Sequence, residues 1–281
     1  MTNSTKRLSY PYLVWISLTI LAPMLLVFFY SVIQTGASPL TFQFTFYHFR
    51  RALDPLFLGV IWDSFQIAAI ATIICLFIGY PAAWAITKIK ASRQATILLL
   101  FIMPMWINML LRTYAWITIL SRNGILNNLL EWLGLPSQNM LYTTPAVILG
   151  MVYNFIPFMI LPIYTAILKV DKNLLDAAGD LGANSTKTFR KVILPLTVPG
   201  IITGVTMVFL PSMSSFVIPE LLGGGQFMMI GNVIERQYLF TGNFNFGSAL
   251  AMILLVVVFV SVWIMKRVDP TAATGKGAMP W

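Results

Sequence analysis

Of the 281 residues, 58% are hydrophobic and only 10% are charged, whereas about a quarter of the residues of a soluble globular domain are charged. That composition excludes an ordinary soluble protein. The formal net charge of +9 raises nucleic acid as a partner, but the basic residues cluster beside apolar runs, which points to a membrane surface instead. The single cysteine, Cys75, lies inside an apolar run, so neither an intrachain disulfide nor a cysteine-built metal site is available.

In chain order, a short polar start with Lys6 and Arg7 precedes an apolar run at about 12–33. The charged start and the small residues Gly36, Ala37 and Ser38 imitate a secretory signal. The run is longer than a signal's apolar region of about 7–15 residues, so it reads as a retained span. A polar and aromatic segment follows, with Arg50, Arg51, Asp54 and Asp63. The second span is expected at about 65–87 and the third at about 95–120, with Pro104 and Arg112 inside the third. In the loop between the third and fourth spans, Leu126, Leu129, Leu130 and Leu133 predict a short helix lying at the membrane interface. The fourth span is expected at about 145–168, the fifth at about 200–222 and the sixth at about 247–265. The fold class is therefore all-α, a single polytopic membrane domain over 1–281 with six transmembrane helices.

Between the fourth and fifth spans lies a polar island, 171–199, that is more than a linker. Asn173 is a candidate cap for a first short helix, with Asp176 adding negative charge to its first turn. Leu174, Leu175, Ala178 and Leu181 fall at helical spacing and form one apolar face. Gly182 suits a left-handed helix end. Ser185 is a candidate cap for a second helix running to Leu194, where Pro195 interferes. An apolar-faced helix in water calls for a groove to sit in. The plainer alternative is an amphipathic linker lying on the membrane.

With the N-terminus inside, the inner segments carry thirteen lysines and arginines and the outer loops four: Arg50, Arg51, Arg122 and Arg236. This bias places both termini and the polar island in the cytoplasm.

Candidate pathway residues are those that are costly inside a membrane. Arg112 reads either as a pathway or gate group, or as a snorkelling arginine paired with a loop carboxylate or carbonyls. Glu220, after Pro219, reads as a cation-guiding group or an interfacial carboxylate. Asp63 reads as a mouth residue or, more simply, a helix N-cap. Glu235 is expected to pair with Arg236 or Arg122. Trp106, Tyr114, Tyr153 and Phe155 offer faces to an organic cation, or pack as ordinary apolar groups. Asn154 either lines a pathway or joins helices.

Asp176-Ala177-Ala178, Gly182 six residues after Asp176, and Ile193-Leu194-Pro195 resemble the EAA loop of bacterial ABC importer permeases, with Asp where that family usually has Glu. The resemblance implies a type I importer (MetI-like) fold. It also implies that Leu174, Leu175, Asp176, Ala177, Ala178, Gly179, Leu181 and Gly182 form a coupling helix. Leu53-Asp54-Pro55-Leu56, Arg112-Thr113-Tyr114-Ala115-Trp116 with Gly124 to Asn127 beyond it, Leu221 to Gly224 and Ile230 to Ile234 further resemble the spermidine/putrescine permeases. Related iron, sulfate and thiosulfate permeases share parts of these patterns.

By that resemblance the chain is one of two permease subunits in the bacterial cytoplasmic membrane. It would be served by two ATPase subunits and an extracytoplasmic binding protein, and would carry no catalytic residues, metal or cofactor of its own. ATP and Mg would be bound by the ATPase partner, in keeping with the lack of a GxxxxGK[ST] phosphate loop here. A secondary transporter would call for acids or histidines buried in the spans, and a membrane enzyme for a His, Asp or Glu cluster; neither pattern occurs.

Overall fold

The computed structural model describes residues 11–12, 14–35 and 42–268. Lys6, Arg7, the small residues at 36–38 and Lys276 lie outside the described residues. A widened π-type turn at Ser17–Leu21 leads into α1 (Ala22–Val32). A small hairpin follows, in which β1 (Ile33–Thr35) pairs antiparallel with β2 (Phe42–Phe44), Ile33 opposite Phe44. Next come α2 (Tyr47–Ala52), α3 (Pro55–Lys88), α4 (Ala91–Ile102) with a 3₁₀ turn at Met103–Trp106, α5 (Met109–Leu120) and α6 (Ile125–Trp132). Then follow α7 (Thr144–Leu168), α8 (Lys172–Asp180), α9 (Ser185–Thr188), a π-type turn at Phe189–Ile193 and α10 (Leu194–Ser214). The chain ends in α11 (Val217–Leu222), α12 (Ile230–Leu239) and α13 (Phe244–Val268).

Among the described residues, five helices are long and apolar enough to cross a membrane: Val14–Val32, Pro55–Lys88, Thr144–Leu168, Ser185–Ser214 and Phe244–Met265. A pair bent at a short break, Ala91–Trp106 with Met109–Trp132, passes the same test when taken together and, counted as one broken span, brings the number to six. The order of spans matches the hydropathy reading, and the short helix expected around Leu126 to Leu133 is α6.

The core is built on α7, which lies between α3 and α10. Small residues let the backbones approach, as helix association in a bilayer favours. A Cβ added to Gly79 of α3 would stand 2.9 Å from Met159 Cγ, and one added to Gly204 of α10 would stand 2.8 Å from Met159 Sδ. Met159 is fully buried in the notch these two glycines leave. A Cβ added to Gly200 would stand only 2.4 Å from the Ala166 Cβ of α7. One apolar cluster gathers Ile67, Val147, Met151, Ile218 and Leu222; a second gathers Tyr80, Ile86, Met159, Ile163 and Val208. α1 rests on α13, where Asn245 Nδ2 donates to the Tyr30 and Ile33 carbonyls at 3.0 and 2.7 Å.

Several sequence expectations are corrected. The third span is not one straight helix: α4 and α5 meet at 91°. Pro104 lies in the 3₁₀ turn, Ile107 and Asn108 are extended in ψ, and Asn108 Oδ1 caps α5 by accepting from Leu110 N at 2.8 Å. The fifth span is longer inward and shorter outward than expected, because Ser215 turns extended after Ser214 and α11 is separate. Pro195 does not end a helix. The π-type turn before it widens the coil, which relieves the missing donor and the crowding that proline imposes one turn back. α3 starts ten residues before the expected second span, with Pro55 in its first turn. Asp63 therefore sits well inside α3 and is not an N-cap.

Candidate functional site

Three groups of the expected residues separate in space. The first is the hairpin of α8 and α9. Asp171 and Asn184, not Asn173 and Ser185, cap its helices: Asp171 Oδ1 accepts from Asn173 N at 2.9 Å, and Asn184 Oδ1 from Lys187 N at 2.9 Å. Asp176 consequently lies in the middle of α8 rather than its first turn. Gly182 closes the helix as expected, with φ of +73°. The Gly182 N–H donates to the Gly179 carbonyl at 2.8 Å and the Ala183 N–H to the Ala178 carbonyl at 3.0 Å. This paired bonding is the Schellman ending that a left-handed glycine permits.

The predicted apolar face is divided. Ala178 is buried and Leu175 half-buried, whereas Leu174 is 47% exposed and Leu181 is 89% exposed. A leucine left bare at a tight turn, with the surrounding Asp176, Ala177 and Gly179 also exposed, gives the hairpin a projecting apolar tip.

The second group surrounds Glu220 on α11. Its Oε1 lies 3.3 Å from Arg236 Nη2, and its Oε2 accepts from Asn232 Nδ2 at 3.2 Å. Asn232 Nδ2 also donates to the Phe216 carbonyl at 2.8 Å, and its Oδ1 accepts from Met229 N at 3.2 Å. The start of α12 is tied to α3 by Ile230 N donating to Ser64 Oγ at 2.8 Å. Arg236 thus pairs with Glu220, correcting the expected pairing with Glu235. The Glu235 carboxyl is held above its usual range by burial and then by the negative Glu220, against the opposing Arg236. Asp63 is exposed on α3 and forms no ion pair among the described residues. Sequence reasoning missed Asn232, Arg236 and Ser64 in this group; nothing in their local spacing links them to Glu220.

The third group joins α5 and α7. The Arg112 guanidinium stands 5.8 Å from the Tyr153 ring centroid, and Trp116 meets Tyr153 edge-on at 5.5 Å. With Ile107, Leu111, Ala115 and Ile119 they line an open cavity of roughly 300 Å³. Arg112 Nε is buried without a hydrogen-bond partner among the described residues. The other expected aromatics do not converge here: Trp106 and Tyr114 are exposed, and Phe155 packs half-buried against the two core clusters. Asn154 faces inward, its Nδ2 donating to the Gly150 carbonyl at 2.8 Å.

An apolar-surfaced bundle with five helices of bilayer length, a bent pair beside them and a structured polar hairpin between two of the spans has the build of a multi-pass membrane protein. Residues 75–274 match the family described as binding-protein-dependent transport system inner membrane component, and the chain belongs to that family. It is 42% identical over 258 residues to the spermidine/putrescine transport system permease protein PotB of Haemophilus influenzae, covering 91% of this chain and 90% of that protein. The Escherichia coli PotB is 41% identical over 256 residues, 90% of this chain and 93% of that one. Among solved structures, a bacterial alginate ABC transporter in complex with an alginate pentasaccharide-bound periplasmic protein superposes with a TM-score of 0.80 at 18% identity, covering 95% of this chain and 94% of the other; this likeness speaks to the fold alone.

Proposed function

We propose that this chain is a permease subunit of an ATP-driven importer of polyamines, spermidine and putrescine among them. The observation that carries the reading is identity of 41–42% to the two spermidine/putrescine permeases over about nine-tenths of each chain. Both termini and the α8–α9 hairpin face the cytoplasm in this reading, supported by the thirteen-to-four distribution of lysine and arginine.

α8 is the part gripped by an ATPase partner. The support is the exposure of Leu174, Leu181 and Gly182 on and beside a short polar helix between two long apolar ones. ATP and Mg belong to that partner; two ATPase subunits, a second homologous permease and an extracytoplasmic binding protein complete the assembly. Closing of the ATPase pair on ATP displaces the hairpin, and the spans switch access from one side to the other, a rigid-body coupling of two distant sites.

On the outer side, Glu220 supplies the carboxylate that meets an arriving ammonium. Its bond to Arg236 is partly exposed, and pairs of that kind hold by about 0–1 kcal/mol. Exchange of Arg236 for a substrate ammonium is therefore inexpensive. Asp63, Trp106, Tyr114 and Tyr153 offer further anionic or π-face contacts along the route. Arg112 acts oppositely, as a fixed positive charge that a polyamine passes only when an acid from outside this chain neutralises it.

Uptake of radiolabelled spermidine by cells that express the whole transporter, with excess putrescine, sulfate or ferric iron as competitor, tests the substrate class. Competition by putrescine alone is expected. Competition by sulfate or iron in its place overturns the polyamine reading.

A further inference from the structure

The junction between the hairpin and its span holds an arrangement that the docking of α8 does not require. Phe189 opens the π-type turn, and its ring is set edge-on against two aromatic rings of α3 at once. It lies 5.7 Å from Tyr80 at 85° and 5.2 Å from Trp84 at 87°. Tyr80 and Trp84 are four residues apart and so form one slot on one face of α3. Both walls of the slot are themselves held. The Lys88 ammonium stands 4.8 Å over the Trp84 ring, and the buried Tyr80 hydroxyl is 2.9 Å from Thr197 Oγ1. Thr197 lies two turns beyond Phe189 on the same continuous span. Edge-to-face pairs are worth about 0.5–1.5 kcal/mol each beyond their area, so the slot fixes Phe189 in direction as well as in position.

A π-type turn is a widened coil that recurs at functional positions in helices. Here it lies between the hairpin and the first α-helical turn of α10. Ile193 is buried at its far end. Displacement of the hairpin therefore reaches Phe189 before it reaches α10, and Phe189 bears on α3. α3 is a single helix of 34 residues, about 50 Å long. Trp84 is near its inner end, and Ser64, which receives the Ile230 N–H of α12, lies about 30 Å away within its outer third. One continuous helix, with Pro81 lying between Tyr80 and Trp84, thus joins the Phe189 slot to the helix that carries Asn232 and Arg236.

We propose that Phe189 is the positioning residue that transmits hairpin movement to α3, through a slot that stays closed during transport. The proposal rests on the reading of α8 as the element an ATPase partner grips, and it adds the route by which force leaves that element. Coupling energies between linked sites commonly correspond to 5–150-fold effects.

The test uses the assembled transporter in proteoliposomes, scoring spermidine taken up per ATP hydrolysed. Phe189→Ala is expected to lower that ratio about tenfold while the ATPase subunit still co-purifies at the wild-type proportion. Phe189→Tyr, which keeps the ring, is expected to stay within about twofold of wild type. A double variant, Phe189→Cys with Trp84→Cys, guards against a simple folding defect. Cys75 is the only native cysteine of this chain and is fully buried, so within this chain a short bifunctional maleimide joins the introduced pair, and mass spectrometry of the joined peptide identifies that product. Uptake per ATP is expected to be low before joining and to recover after it. An unchanged ratio for Phe189→Ala overturns the proposal, as does a ratio for the double variant that does not recover when the pair is joined. Failure of any ATPase subunit to co-purify with the unaltered chain overturns the docking of α8 itself, a distinct result.

Discussion

Glu220 and Arg236 approach to 3.3 Å while their side chains remain 42% and 36% exposed, and those two facts together set what the pair does. A closed ion pair in the bilayer would be a permanent brace; a half-open one is exchangeable. Glu220→Gln removes the charge and keeps the shape, including an acceptor for Asn232 Nδ2. KM for spermidine uptake is expected to rise about fivefold, which corresponds to about 1 kcal/mol of lost charge contact, with kcat little changed; an unchanged KM removes Glu220 from the substrate route. Glu220 itself was legible in the sequence as an acid following proline at the end of an apolar run. Its partner was not. Sixteen residues separate Glu220 from Arg236, with three consecutive glycines between, so no helical spacing connects them, and the neighbouring Glu235 offered the obvious wrong pairing.

At the scale of elements, the hairpin was legible in kind but shifted in register. Asp171, Asn173, Asn184 and Ser185 are all good N-caps, and spacing alone does not choose between residues one or two positions apart. Gly182 was unambiguous, because the left-handed ending at φ +73° is open to few other residues. No atom lies within 4 Å of a Cβ placed there, so a larger side chain is opposed by the backbone and not by crowding. Gly182→Val is expected to cost about 1–2 kcal/mol locally and to splay the tip that carries Leu181. Uptake falls by at least tenfold while the protein reaches the membrane at wild-type abundance; wild-type uptake from Gly182→Val contradicts the coupling role of the tip. The π-type turn was not legible. Pro195 reads as a stop in a linear sequence, and only the widened coil before it lets the span run unbroken from Ser185 to Ser214.

For the whole molecule, hydropathy was enough to mark and order the long apolar helices but not their ends, since backbone groups in a bilayer leave the chain little choice but helix. It did not show the 91° break between α4 and α5, although both residues responsible were visible. Pro104 marks the weak point, and Asn108, which reads as one polar group in an apolar run, turns out to cap a new helix. The bundle also leaves much apolar surface bare, with Phe77 75% and Trp106 75% exposed. That surface suits lipid and a second permease subunit. The hairpin tip is different, being apolar within a polar segment that the proposed orientation puts in water.

Docking of that tip on a nucleotide-hydrolysing partner is tested most directly by cross-linking from Leu181→Cys in membranes of cells that make the whole transporter. Cys75 is buried, so the introduced thiol is the one reactive position among the described residues. A short bifunctional reagent is expected to join Leu181→Cys to the ATPase subunit. The contrary result is a thiol that joins to no ATPase, or one that a membrane-impermeant maleimide labels from outside intact cells.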